Sequence, residues 1–353
     1  MARLFKEYDF YGMVQVKTNI PELQDFFSFF EGKEFPVQSG KRARINVEQQ
    51  YRLNIDISAY SRVGDFLYHP QTDTLYFELP YPFPVQVMAS GIASDNVTIM
   101  VSSTFLKLPT VMRGGINFTY LFREIFLLKL INRGCLFLHG ASVAFANNGV
   151  VMTAFANTGK TYLSFGLAKS GLARMLADEY TVINEQGLMR AFPGMSALSP
   201  QTIKECAIEI TGKEQFIMWL CQLRSFLMPF LFEPVIWVHA TRIFSENARC
   251  PEVQARYLVF LQRGKAGFSK MDKREAFKKL VLLTENEFPC ATNYFLQVYS
   301  FLRADFDLIE YQLRAQSIIK YFVEKTQDTF TFSFTPGNTE KLYSTIREHL
   351  GGE

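Results

Sequence analysis

The residue types best equipped for chemistry stand together in one stretch, GVVMTAFANTGKTYLSFGLAKSGLARMLADEYTVI, residues 149 to 183. Within it Ala154-Phe155-Ala156-Asn157-Thr158-Gly159-Lys160-Thr161 fits the phosphate-loop pattern G-x-x-x-x-G-K-[ST] at every position but the first glycine. In such a loop successive backbone N–H groups and the start of the following helix face the phosphates of a nucleotide. Lys160 is then the cation for the β and γ phosphates of ATP, and the Thr161 hydroxyl is the ligand for Mg²⁺. Ala154 puts a Cβ where glycine usually allows close approach. Asn157 is the non-glycine residue best able to take a positive φ. The other Gly-Lys pairs, Gly212-Lys213 and Gly264-Lys265, have no Ser or Thr after them and carry no such assignment.

A second group follows at a telling distance. Beyond Lys160 the sequence reads as a helix closed by Ser170-Gly171, then the strand LARMLA, then Asp178 and Glu179. A parallel strand adjacent to the loop's own strand would deliver those carboxylates to the edge where the phosphates lie, so that a proton acceptor and a metal carboxylate meet there. His139, near the end of an apolar run, is suited to orient such a carboxylate and to tune its pKa. Arg242, Arg256 and Arg263 are each candidates to meet charge on a transferred phosphoryl group, and sequence does not choose among them.

The elements that must hold these residues are legible around them. Residues 1 to about 110 alternate in short runs such as TDTLYFEL and NVTIMVSS between turn-prone segments, which predicts a β-rich N-terminal lobe, set here at residues 1–112. The segment 117–134, apolar on most of its surface and stopping at Gly134, predicts a buried helix that bridges to a second domain, residues 113–353. CLFLHGASVAFA and VVMTAF, joined by Asn147-Asn148-Gly149, predict a hairpin turning on Asn-Gly immediately before the phosphate loop. Further on, VIWVHA and RYLVFLQRG read as strands and MDKREAFKKLVLLTENEF as a helix. TFTFSFTPGNTEKLYSTIREHL reads as a strand, a turn at Gly337 and a terminal helix.

Composition narrows the classes of function. A formal net charge of +3 from 37 basic and 34 acidic side chains argues against nucleic acid or an anionic membrane as the main partner. The 35 Phe and 16 Tyr are not interleaved with basic clusters, so they predict core rather than a base-stacking platform. Five cysteines, odd in number and without a CxxC pair, predict free thiols in a reducing, cytoplasmic setting. The most apolar segment, residues 216–232, is interrupted by Gln222, Arg224 and Pro229 and predicts a buried helix, not a membrane span.

The run LFLHGASVAFANNGVVMTAFANTGKTYLSFGLAKSGLARMLADEYTVI resembles the catalytic core of the HPr kinase/phosphorylase family and its kinase-like relatives. It shares with them a Leu-His-Gly strand, a hairpin, a phosphate loop after an apolar strand, and an acidic strand end, Met175-Leu176-Ala177-Asp178 here where the family reads Leu-x-Ala-Asp, carrying a second carboxylate. The resemblance implies an α/β fold with an HPr kinase C-terminal-domain, PEP carboxykinase-like P-loop core, preceded by the β-rich lobe. It implies an ATP- and Mg²⁺-dependent kinase of a hydroxyl, with Asp178 as base on that hydroxyl, His139 beside it, and Glu179 with Thr161 at the metal. Glu179 departs from the family's second Asp. The glycine-rich signature of true HPr kinases is absent downstream, so the broader group is implied, with serine of a peptide or protein as acceptor and the β-rich lobe suited to peptide capture by strand addition. Two alternatives stay open: a nucleotide-binding module without catalysis, and a kinase of a small-molecule hydroxyl. Self-association is left open as well.

Overall fold

Alternating apolar residues in the first hundred positions build one face of a mixed sheet. The computed structural model describes residues 4–37, 42–79, 85–108, 116–192, 194–227, 234–288, 293–335 and 339–350. By internal contacts the chain divides into two compact units, residues 1–134 with 288–315, and residues 135–287 with 316–353. The boundary read at 112/113 lies outside the described residues, and the contact division gives the helix Phe118–Ile131 and the segment 288–315 to the first unit.

In the first unit eight strands lie in the order Lys6–Phe10, Val14–Thr18, Ala43–Gln50, Asn96–Ser102, Val85–Ser90, Thr74–Leu79, Phe66–His69, Ser61–Val63. Ala43–Gln50 runs parallel to both of its neighbours and every other pairing is antiparallel. Ile45, Val47, Val87, Val97, Ile99 and Val101 are fully buried, the alternation expected of a sheet with one covered face. Phe118–Ile131 is capped by Asn117, whose side chain accepts from the N–H groups of Thr119 and Tyr120, and the chain leaves through Gly134 at φ 67°. Its Phe126 ring meets Phe10 edge-on with centroids 5.0 Å apart, so the abundant phenylalanines are core here, as composition predicts.

The second unit contains a nine-stranded sheet whose central strand, Glu252–Arg263, lies parallel to Asn148–Thr153 and to Asp328–Phe334. The apolar run 135–145 is two strands that part at Gly140: Cys135–His139 pairs with Tyr180–Asn184, while Ala141–Phe145 pairs with both Asn148–Thr153 and Arg174–Ala177. Two expectations are corrected here. The hairpin is present, but its register pairs Phe145 with Asn148, so the turn is Ala146-Asn147, with Ala146 taking the positive φ of 50°. Gly149 lies inside the strand, where an added Cβ would sit 2.7 Å from the Gln254 carbonyl oxygen, so close packing and not a turn requires glycine. Second, Arg174–Ala177 runs in the direction of the loop's strand but is not adjacent to it, because Ala141–Phe145 is antiparallel to each and lies between them.

The helix expected to be buried within 216–232 is observed as Gly212–Leu227 and is not buried: Met218 alone of its residues reaches the core, and Phe226 is 83 % exposed. Residues 228–233, like Cys290 and Gly337, lie outside those described. Among the described residues Cys135, Cys206, Cys221 and Cys250 are free thiols, and no helix is long and apolar enough to cross a membrane.

Candidate functional site

The strand Asn148–Thr153 ends at a fully buried threonine whose hydroxyl donates to the His139 carbonyl oxygen at 2.8 Å. The chain then turns through Asn157 at φ 60° and Gly159 at φ 110° into the helix Lys160–Lys169. Asn157 thus takes the left-handed conformation foreseen for it. Gly159 is the helix N-cap and offers no side-chain acceptor, which leaves the first-turn N–H groups available to an anion. Glycine is required there twice over, by its φ and because a Cβ would lie 2.7 Å from the Phe334 ring. Ala154 is buried within the hydrophobic core of this unit, so the methyl that replaces the pattern's first glycine is packed against apolar neighbours.

Lys160 Nζ donates to the carbonyl oxygens of Ala154 at 2.8 Å and Phe155 at 3.2 Å, while Thr158 Oγ1 donates to the same Phe155 carbonyl at 2.9 Å. Burial pulls the Lys160 ammonium below the usual lysine range, against the opposing charges of Asp178, Glu179 and Glu287. Asp178, 3 % exposed, accepts from Thr161 Oγ1 at 3.1 Å through Oδ2 and from Ser164 Oγ at 3.3 Å through Oδ1. Ser164 is one helical turn beyond Thr161, which puts both hydroxyls on the face turned to the strand end. Burial pushes the Asp178 carboxyl up to about 6, with the hydroxyls of Ser196, Thr161 and Ser164 and the charge of Lys160 acting against it.

Glu179 follows at the strand end, its carbonyl oxygen accepting from the Gly140 N–H at 3.0 Å, and this bond draws His139 and the acidic pair to one place. His139 Nδ1 lies 3.9 Å from Glu287 Oε2, at the last residue of the helix Lys273–Glu287. The three arginines part company. Arg263 ends the central strand three residues past Phe260, the partner of the loop strand's Thr153, and its Nη2 donates to the Asn157 carbonyl at 3.1 Å. Arg242 is engaged by Glu214, and Arg256 donates to Asn148 Oδ1 at 2.9 Å, at the other end of the loop strand.

A cleft of about 460 Å³ joins these groups. His139, Lys160, Thr161, Asp178, Glu179 and Arg263 line it, as do Ala156, Asn157 and Gly159 of the loop, whereas Ala154, Phe155 and Thr158 are not part of its wall. Its lining also includes Ser199, Gln201, Thr202, Val235 and Trp237, none of which sequence reasoning had singled out. Trp237 alternates with the buried Ile236 and Val238, and that period-two pattern was a usable signal for an outward-facing aromatic. Glu287 gave no signal of its own, because its approach to His139 depends on how two distant elements pack.

The site suits a magnesium-bound nucleotide on its own chemistry. It has a lysine, an uncapped helix start, a cradle with two positive-φ residues, and a hydroxyl held by a carboxylate. Among the described residues no group of three or more His, Cys, Asp or Glu converges as a metal cage; Mg²⁺ on a nucleotide keeps waters and phosphate oxygens and needs only one or two protein ligands.

No protein-family profile matches the chain, and no curated protein matches it. Among solved structures it is similar to the Hpr(Ser) kinase/phosphatase from Coxiella burnetii, with 11 % identity over 60 % of this chain and 89 % of that one and a TM-score of 0.27. That protein is a weak structural neighbour of a mixed α/β chain.

Proposed function

We propose that this protein is an ATP-dependent phosphotransferase that moves the γ-phosphoryl group to a hydroxyl, serine of a peptide or protein being the acceptor. The observation that carries the proposal is the hydrogen bond from Thr161 to Asp178, which ties the phosphate-loop pattern to the strand-end carboxylate within one cleft. In this reading Lys160 leaves the Ala154 and Phe155 carbonyls for the β and γ phosphates, and the backbone of 156–161 surrounds them. Thr161 and Glu179 would hold Mg²⁺, which would supply positive charge to the phosphate oxygens. Asp178 fixes Thr161, and with His139 it makes the end of the cleft at which the acceptor's proton is taken. Arg263 is the arginine placed to meet charge on the moving group.

The test is transfer of labelled γ-phosphate from ATP to a serine-containing peptide library. Wild type is expected to transfer, and Asp178→Asn to lower the rate by about two to four orders of magnitude. Transfer by Asp178→Asn at the wild-type rate would remove the role given to this residue. Binding of MgATP by wild type without transfer to any peptide would favour the non-catalytic binding module.

A further inference from the structure

Resting on the phosphotransferase reading, we infer that Trp237 is the platform on which the base of the donor stacks, so that the donor is a nucleoside triphosphate and not a bare polyphosphate. The chain has two tryptophans, and both are 55 % exposed. Trp219, on the helix Gly212–Leu227, stacks on Phe216 with ring centroids 6.0 Å apart and does not line the cleft. Trp237 lines the cleft together with Lys160 and Asp178, and among the described residues no ring, cation or hydrogen-bond partner meets its indole. The strand Ile236–His239 fixes this direction, since Ile236 and Val238 are buried and the residue between them must face outward. Its cross-strand partner is Ala197, whose single methyl is too small to cover an indole. Singly exposed aromatic residues are ordinary on a protein surface, and what separates Trp237 from Trp219 is its place in the cleft of the phosphate loop.

The charge of the cleft is divided by segment. Lys160, Asp178, Glu179 and Arg263 come from the phosphate loop and the strand ends, whereas the stretches 197–202 and 235–237 give the lining only uncharged side chains. A nucleoside triphosphate is divided in the same way, with its negative charge on the phosphates and a flat, uncharged base at the other end. Phosphates held at Lys160 therefore leave the base to the uncharged residues, where Trp237 offers a π-face. Stacking on an aromatic ring needs no particular edge of the base and is worth about ten- to a hundredfold in affinity. The cleft volume of about 460 Å³ is within the range of small-ligand sites.

The experiment titrates MgATP and magnesium tripolyphosphate calorimetrically into wild type, Trp237→Ala, Trp237→Phe and Trp219→Ala, each first shown to be folded by a cooperative thermal transition. Trp237→Ala is expected to bind MgATP about ten- to a hundredfold more weakly than wild type, Trp237→Phe within about fivefold of it, and Trp219→Ala like wild type. Affinity for magnesium tripolyphosphate should be the same in all four. In Trp219→Phe, where Trp237 is the only tryptophan, MgATP should quench the emission and magnesium tripolyphosphate should not. Unchanged MgATP affinity in Trp237→Ala, or an equal loss of both ligands there, overturns the stacking while leaving nucleotide binding at Lys160 intact. Quenching by serine peptides and not by MgATP also overturns it, and gives the ring to the acceptor. A folded wild type that binds neither probe overturns both the stacking and the phosphotransferase reading.

Discussion

Each unit of this molecule buries a lysine and a carboxylate, and the two pairs are put to different uses. In the first unit Lys129 is fully buried, and its ammonium donates to the carbonyl oxygens of Ile92 and, at 2.7 Å, of Ser94. Burial lowers it to about 8. Glu124, on the same helix, is 3 % exposed and pushed up to about 7 by burial, with Asn293 and Arg123 acting against the shift. In the second unit Lys160 likewise donates to two backbone carbonyls, but they belong to its own loop and it lines a cleft beside Asp178. Burial and a perturbed pKa are therefore common to both units. What separates them is that the partners of Lys129 are carbonyls from a distant segment of the chain, whereas those of Lys160 are its own loop's, beside a cleft, where the proposed function has them exchanged for phosphate oxygens.

Three predictions break or sharpen that contrast. The largest effect on folding is expected at Glu124. Its unfolded carboxyl ionises near 4.5 while the folded one keeps its proton to about 7, so stability is highest below pH 4.5 and falls as pH rises through that window. Glu124→Gln removes the slope and above pH 7 should be more stable than wild type by about 3 kcal/mol. Urea midpoints of the two proteins from pH 4 to 8 check this; parallel curves would mean that Glu124 ionises normally in the folded chain.

A smaller effect is expected at Lys129. Lys129→Met leaves the Ile92 and Ser94 carbonyls without their donor and should cost about 1–3 kcal/mol of stability. It should leave MgATP affinity unchanged, and a change in affinity with stability unaltered would erase the distinction between the two lysines.

What sequence could show was set by how local the determining interactions are. The loop, the helix that follows it and the acidic pair occupy one continuous stretch, so pattern and spacing sufficed to bring Lys160, Thr161 and Asp178 together. The hairpin was legible, but its turn was not, because Gly149 is glycine for lack of room beside Gln254 and not for a turn angle. The strand order was not legible either: Ala141–Phe145 lies between the loop strand and Arg174–Ala177, a fact of pairing that no spacing encodes. Apolar content predicted a buried helix within 216–232; a helix is there, Gly212–Leu227, but it is exposed, because burial depends on what packs against it and not on its own composition. Choosing Arg263 over Arg242 and Arg256 required the register of the central strand against Thr153, and finding Glu287 required the packing of a helix from far along the chain.

The central claim is that residues 154–161 hold the phosphates of a nucleotide through Lys160. Calorimetric titration of MgATP into wild type and Lys160→Ala tests it without reference to any acceptor. Wild type should bind, and Lys160→Ala, shown to be folded by a cooperative thermal transition, should bind at least about tenfold more weakly, the loss of one charge-assisted contact. No heat of binding by folded wild type at millimolar nucleotide, or equal affinity in the two proteins, would contradict it.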